Sequence, residues 1–199
     1  MKKIIFILFL LIATSGHLEA GTTIIDYKDP EFDEPYQTIL LNVNSDLQTK
    51  KEVEQKAIRE LSRKSHTKFL SYFDLFSPFE NYSSEQFIEV LKTNNVEAIL
   101  FTEVVNSQSY NQSISIPIYE TSYGYIGGES YSFSTPSTTE INYTVSEWVT
   151  NLQLYDVDNS KVVWKAQAFT SGTSTKGMTS NLIKKTINAA LDSGLIKKK

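Results

Sequence analysis

Ser83-Ser84-Glu85-Gln86-Phe87-Ile88-Glu89-Val90-Leu91-Lys92-Thr93-Asn94-Asn95-Val96-Glu97-Ala98-Ile99-Leu100-Phe101-Thr102-Glu103-Val104-Val105 holds a helix start, a helix stop and a strand in one run. A serine followed three residues later by glutamine lets each side chain bond the other's backbone amide, the reciprocal cap that opens a helix. Phe87, Val90 and Leu91 follow at helical spacing, and Asn94-Asn95 tolerates the left-handed turn that closes a helix. Residues 96–105, apolar and β-branched, read as a strand.

The same alternation lies upstream. Residues 38–43, Thr-Ile-Leu-Leu-Asn-Val, have the length and composition of a buried strand. Ser45-Asp46-Leu47-Gln48 repeats the capping pattern, and Val53, Ala57 and Leu61 recur every four residues among charged neighbours, which predicts a helix over 46–64. Residues 69–76 read as a second, aromatic-rich strand. Strand, helix, strand, helix, strand implies right-handed crossovers and partly parallel pairing.

Downstream the composition turns to Ser, Tyr, Thr, Asn, Gly and Pro. Ile114, Ile116 and Ile118 alternate with Ser113, Ser115 and Pro117, and Gly124, Gly127 and Gly128 interrupt the chain beyond them, so 107–139 is expected as a β-arm or loop. Residues 140–157 and 161–169 read as antiparallel strands joined by a turn at Asp158-Asn159-Ser160. A helix over 179–193 carries Leu182, Ile183, Ile187, Ala190 and Leu191 and is capped by Gly194. The fold expected is therefore α+β: a mixed sheet built from β-α-β-α-β, a long antiparallel hairpin and a C-terminal helix. It occupies 37–196 as a single domain. An extended acidic arm over 21–36, with Asp26, Asp29, Glu31, Asp33 and Glu34, precedes it.

A length of 199 residues suits one domain, and 40% hydrophobic and 12% aromatic content suffices for a packed core. Lys2-Lys3, the apolar run over 4–13 and a small-residue exit at Ala20 read as a removable export signal over 1–20, since that run is shorter than the ~20 residues a spanning helix needs; the rival expectation is an uncleaved anchor. Cleavage would leave the chain periplasmic or secreted. The absence of cysteine excludes a lipid-bearing thioether, disulfides and Cys-type zinc sites, so no stable lipid anchor is expected.

The whole chain has a net charge of −4, and removal of Lys2, Lys3 and Glu19 makes it one unit more negative. That sign excludes the electrostatic footprint of a nucleic-acid binder. Lys197-Lys198-Lys199 could touch anionic lipid as a peripheral membrane contact but is shorter than a lipid-recognising cluster.

Catalytic motifs are sparse. His66 is the one histidine after the signal and reads as a surface or helix-capping residue, with no serine in a nucleophile elbow to partner it. Gly172-Thr173-Ser174-Thr175-Lys176-Gly177-Met178-Thr179 has two glycines between strand and helix, but Met178 stands where a phosphate-binding loop needs lysine. The acidic arm lacks the order of a calcium loop, and Glu97 and Glu103 read as solvent-facing residues of one strand. No metal, cofactor or catalytic residue is expected. Tyr110, Tyr119, Tyr123, Tyr125 and Tyr131, with Tyr143, form the candidate binding surface, because Tyr and Ser make amphipathic contacts at low entropic cost. The rival expectation packs these tyrosines on the sheet.

Two segments carry a family resemblance. Residues 84–100, Ser-Glu-Gln-Phe-Ile-Glu-Val-Leu-Lys-Thr-Asn-Asn-Val-Glu-Ala-Ile-Leu, and 151–164, Asn-Leu-Gln-Leu-Tyr-Asp-Val-Asp-Asn-Ser-Lys-Val-Val-Trp, resemble bacterial envelope proteins and lipoproteins with an anticodon-binding-like domain, a group that includes the curli secretion channel lipoprotein. The resemblance implies a non-enzymatic, outer-membrane-associated protein that acts by assembly, with another envelope protein or with itself as partner. This chain departs from the group in lacking the lipid-bearing cysteine, and 106–146 are more polar than membrane-crossing strands. The alternative function is a periplasmic hydrolase of cell-wall or carbohydrate material, and a pore protomer is a third.

Overall fold

The computed structural model describes residues 20–199 apart from 33 and 127–128, and of 118–136 the backbone alone. The expected export signal at 1–19 lies outside the described residues. In chain order the elements are β1 (Gly21–Lys28), β2 (Thr38–Asn44), α1 (Leu47–Lys64), β3 (Lys68–Ser71), α2 (Tyr72–Leu75), α3 (Ser84–Thr93), β4 (Ala98–Ile126), β5 (Glu129–Asp156), β6 (Lys161–Gly172) and α4 (Thr175–Asp192). The strands form one mixed sheet in the order β1-β6-β5-β4-β2-β3. β2 runs parallel to both β3 and β4, while β6 is antiparallel to β1 and β5. The fold is the α+β arrangement expected, with a long β4–β5 hairpin and a C-terminal helix.

Period-two alternation on β2 builds two cores. Ile39 and Leu41 join Leu61, Leu152, Trp164, Ile183 and Ile187 on the side of α1 and α4. Leu40 faces the other way and meets Leu91, Ile99, Phe76 and Val157. Leu40 and Leu91 are completely buried, and each such side chain contributes about 1.5–3 kcal/mol by leaving water.

Local chemistry places the boundaries. α1 is capped by Asp46 and not Ser45: the Asp46 carboxylate accepts from Thr49 N at 3.0 Å, and an ionised oxygen is the stronger acceptor. The predicted strand over 69–76 stops at Ser71. Ser71 Oγ accepts from Phe73 N and Asp74 Oδ2 accepts from Ser71 N, a capping box that turns the chain into α2. Its aromatic residues then stack: the ring centroids of Phe76 and Tyr72 are 4.9 Å apart and those of Phe76 and Phe87 4.5 Å. α3 opens with the predicted box at Ser83 and Gln86, and Asn95 after it has φ 54.

Residues 21–28, expected as part of an arm ahead of the domain, are strand β1, paired along their length with β6. Thr22 Oγ1 bonds Thr170 Oγ1 at 3.1 Å, and Trp164 Nε1 donates to Asp26 Oδ2 at 2.8 Å. The β-branched run Thr22-Thr23-Ile24-Ile25 favours the sheet, and the acidic residues that suggested an arm lie mostly beyond it. α4 starts at Thr175, ahead of the expected 179, because Ser174 Oγ accepts from Gly177 N. A Cβ on Gly172 would lie 2.9 Å from Met178 Cγ, so close packing accounts for that glycine.

Residues 20–108 with 146–199 make one compact unit, and Ser109–Val145 a second. Within the first, Val157 N donates to Glu97 O and Gln108 Nε2 donates to Glu147 Oε2, which puts one more residue on β4 than on β5 between these pairs. The second unit is the two-stranded ribbon of β4 and β5. In it Tyr143 Oη donates to Gln112 Oε1 at 2.8 Å and Thr144 Oγ1 to Asn111 Oδ1 at 2.9 Å.

Candidate functional site

Two features are not accounted for by apolar packing. The first is the ribbon. The side-chain bonds Gln112–Tyr143 and Asn111–Thr144 fix a register in which Tyr110, Gln112, Ile114 and Ile116 share a face with Val145, Tyr143 and Ile141, while Asn111, Ser113 and Ser115 face the other way with Thr144. Ile114, Ile116 and Ile141 are exposed, as is Tyr110. The side chains of Tyr119, Tyr123, Tyr125 and Tyr131 lie outside the described residues. Tyr143 is half-buried. β6 pairs with β5 over Ser146 to Asp156 and β2 with β4 over Ala98 to Glu103, and among the described residues no third strand flanks the ribbon. In the first unit β1 is an outer strand of the sheet, its Ile25 and Tyr27 67% and 69% exposed.

The second feature escaped the sequence reading. Glu54, one turn beyond Lys50 on α1, is fully buried, and so nearly is Lys50. Glu54 Oε1 accepts from Val43 N at 3.0 Å; Oε2 accepts from Ser71 Oγ at 2.6 Å and Tyr72 N at 3.0 Å. It thereby ties the end of β2 to the β3–α2 turn. Burial raises the Glu54 pKa above its ordinary 4.5 despite these donors and the nearby Lys50 charge. Lys50 Nζ donates to Asn42 Oδ1 at 2.6 Å and stands 3.6 Å from the Tyr72 ring centroid. Burial lowers its pKa, an effect the Glu54 charge opposes. Both residues fell within an ordinary amphipathic helix pattern, and only their one-turn spacing beside the apolar stripe signalled them.

Lys50 opens onto a cleft of about 570 Å³ lined by Asn42, Asn44, Phe101, Glu103, Asn151 and Gln153 among others. The two glutamates read as facing solvent from one strand separate in the structure. Glu97 precedes β4, and its carboxylate accepts from Gln37 N and Thr38 N, whereas Glu103 accepts from Asn44 Nδ2 at 2.8 Å. His66 is exposed after α1, its backbone N–H donating to Lys197 O at 2.9 Å. Among the described residues no group of three or more His, Cys, Asp or Glu is placed to hold a metal, and no helix is long and apolar enough to cross a membrane.

These features define a mixed α+β sheet domain carrying a long two-stranded ribbon. The chain is similar to the PelC dodecamer from Paraburkholderia phytofirmans, with a TM-score of 0.45 and 14% identity over 90% of this chain and 100% of that one. A PelC dodecamer with a leucine-to-methionine change gives 0.46, 13%, 89% and 100%. A PDZ domain protein from Parabacteroides distasonis gives a TM-score of 0.37 and 8% identity, over 91% of this chain and 38% of that one. No protein-family model and no curated protein sequence matches the chain.

Proposed function

We propose that the chain is an exported, non-catalytic envelope protein that assembles through its strands, pairing with copies of itself or with another envelope protein. The ribbon of Ser109–Val145 carries this reading. A two-stranded ribbon is marginal in water on its own, and this one displays isoleucines along one face. A long outer strand such as β1, with apolar side chains exposed, is a template for strand addition. The resemblance of 84–100 and 151–164 to envelope assembly proteins points the same way. Glu97 and Glu103, the carboxylates a hydrolase could have paired, are each engaged elsewhere.

Light scattering on the chain lacking residues 1–20, with and without 107–139, tests the proposal. A mass several times that of one chain, lost with the deletion, is expected. A monomer in both forms would overturn it. The alternation of Ile114, Ile116 and Ile141 with Ser and Asn favours one further variant, in which assembled ribbons lie against lipid. Assembly that requires detergent or vesicles would select that variant.

A further inference from the structure

The cleft beside Lys50 holds opposite charges that do not meet. Both Glu54 oxygens are taken by Val43, Ser71 and Tyr72, so Lys50 has Asn42 Oδ1 as its bonded acceptor and no carboxylate at ion-pair distance among the described residues. Glu103 is held by Asn44. Asn42 and Asn44 are two apart on β2 and so share one face, with anchoring points roughly 6.5 Å apart. Phe101 pairs with Asn42 and Glu103 with Asn44 across to β4, and Asn151 and Gln153 complete the lining. An ammonium donor and a carboxylate acceptor thus line one cleft without forming an ion pair with each other.

We propose that this cleft binds a small zwitterion of the amino-acid class, its carboxylate on Lys50 Nζ and its ammonium on the Glu103 carboxylate. A ligand with both charges a few ångströms apart satisfies both walls at once; a single-charge ligand leaves one wall unmatched. Asn151 and Gln153 supply hydrogen bonds to either end, and Phe101 and Tyr72 bound the space for a short apolar side chain.

The test titrates the chain lacking residues 1–20 with glycine, alanyl-alanine, sodium acetate and ethylamine, read by amide chemical shifts and calorimetry. Glycine or alanyl-alanine should shift the Asn44, Lys50, Glu103 and Asn151 signals, with acetate and ethylamine about tenfold or more weaker. Lys50→Met and Glu103→Gln should each weaken zwitterion binding by a similar factor. Glu103 is exposed, so its amide variant keeps the fold and isolates the charge. No shift with either zwitterion, equal binding of acetate, or unchanged binding by Glu103→Gln would overturn the assignment.

Discussion

Replacing Glu54 should destabilise the chain more than any surface change. The carboxylate is fully buried and accepts from Val43 N, Ser71 Oγ and Tyr72 N, so Glu54→Ala orphans three donors at the junction of β2, β3 and α2. Each orphaned buried donor costs about 1–3 kcal/mol, and relief of the carboxylate's own burial offsets part, leaving about 3 kcal/mol net. Against a domain stability of about 5–15 kcal/mol that is a large fraction. Glu54→Gln keeps the shape and one acceptor oxygen and should cost about 1–2 kcal/mol. The pH dependence has a definite sign. Because burial raises the folded pKa above 4.5, the native state holds a proton that the unfolded chain releases, so this component of stability falls as pH rises through the window between the two values. The gap between wild type and Glu54→Gln should therefore be widest at the acidic end and shrink upward. Urea unfolding followed by the fluorescence of Trp148 and Trp164, over a pH series, measures both effects. A cost for Glu54→Ala below about 1 kcal/mol, or a gap that widens with pH, would refute the reasoning.

Two more outcomes rest on local geometry. Tyr36→Phe removes the 2.8 Å bond from the phenol to Asp156 Oδ2 and should cost about 1–2 kcal/mol in the same unfolding assay. Burial works against the Asp156 charge, but bonds from Asn159 and Tyr36 outweigh it and hold its pKa below 3.8; that stabilisation is present above 3.8 and lost as pH falls through the lowered value, and the variant should lose less on acidification. Ser160, with φ 52 in the β5–β6 turn, sits where glycine is unstrained, so Ser160→Gly should raise the melting temperature slightly, by at most about 1 kcal/mol of stability.

Where one residue type had one local job, the sequence was readable. Ser83 with Gln86, Asn95 at positive φ and the alternation around Leu40 each obey rules that need no tertiary partner. Boundaries moved where two local options competed: Asp46 displaced Ser45 as a cap, and the Ser71–Asp74 box turned an aromatic strand pattern into a helix. β1 was obscured because its partner β6 lies far along the chain and acidic residues come directly after it. The Lys50 and Glu54 cluster was hidden for a different reason. A buried carboxylate is defined by donors from Val43, Ser71 and Tyr72, which come together only in three dimensions. Of the tyrosine surface, the strand character of its described residues was within reach of the Ile114-x-Ile116 alternation, whereas the faces that Tyr110 and Tyr143 occupy required the register.

Amide hydrogen exchange on β1 and on Ser109–Val145, measured at low and high concentration of the chain lacking residues 1–20, tests strand-mediated assembly most directly. Protection that rises with concentration in both segments, while β2 and α4 stay unchanged, is the predicted result. Ribbon and β1 amides that exchange at the same rate at every concentration, with detergent or vesicles present as well as absent, would contradict it.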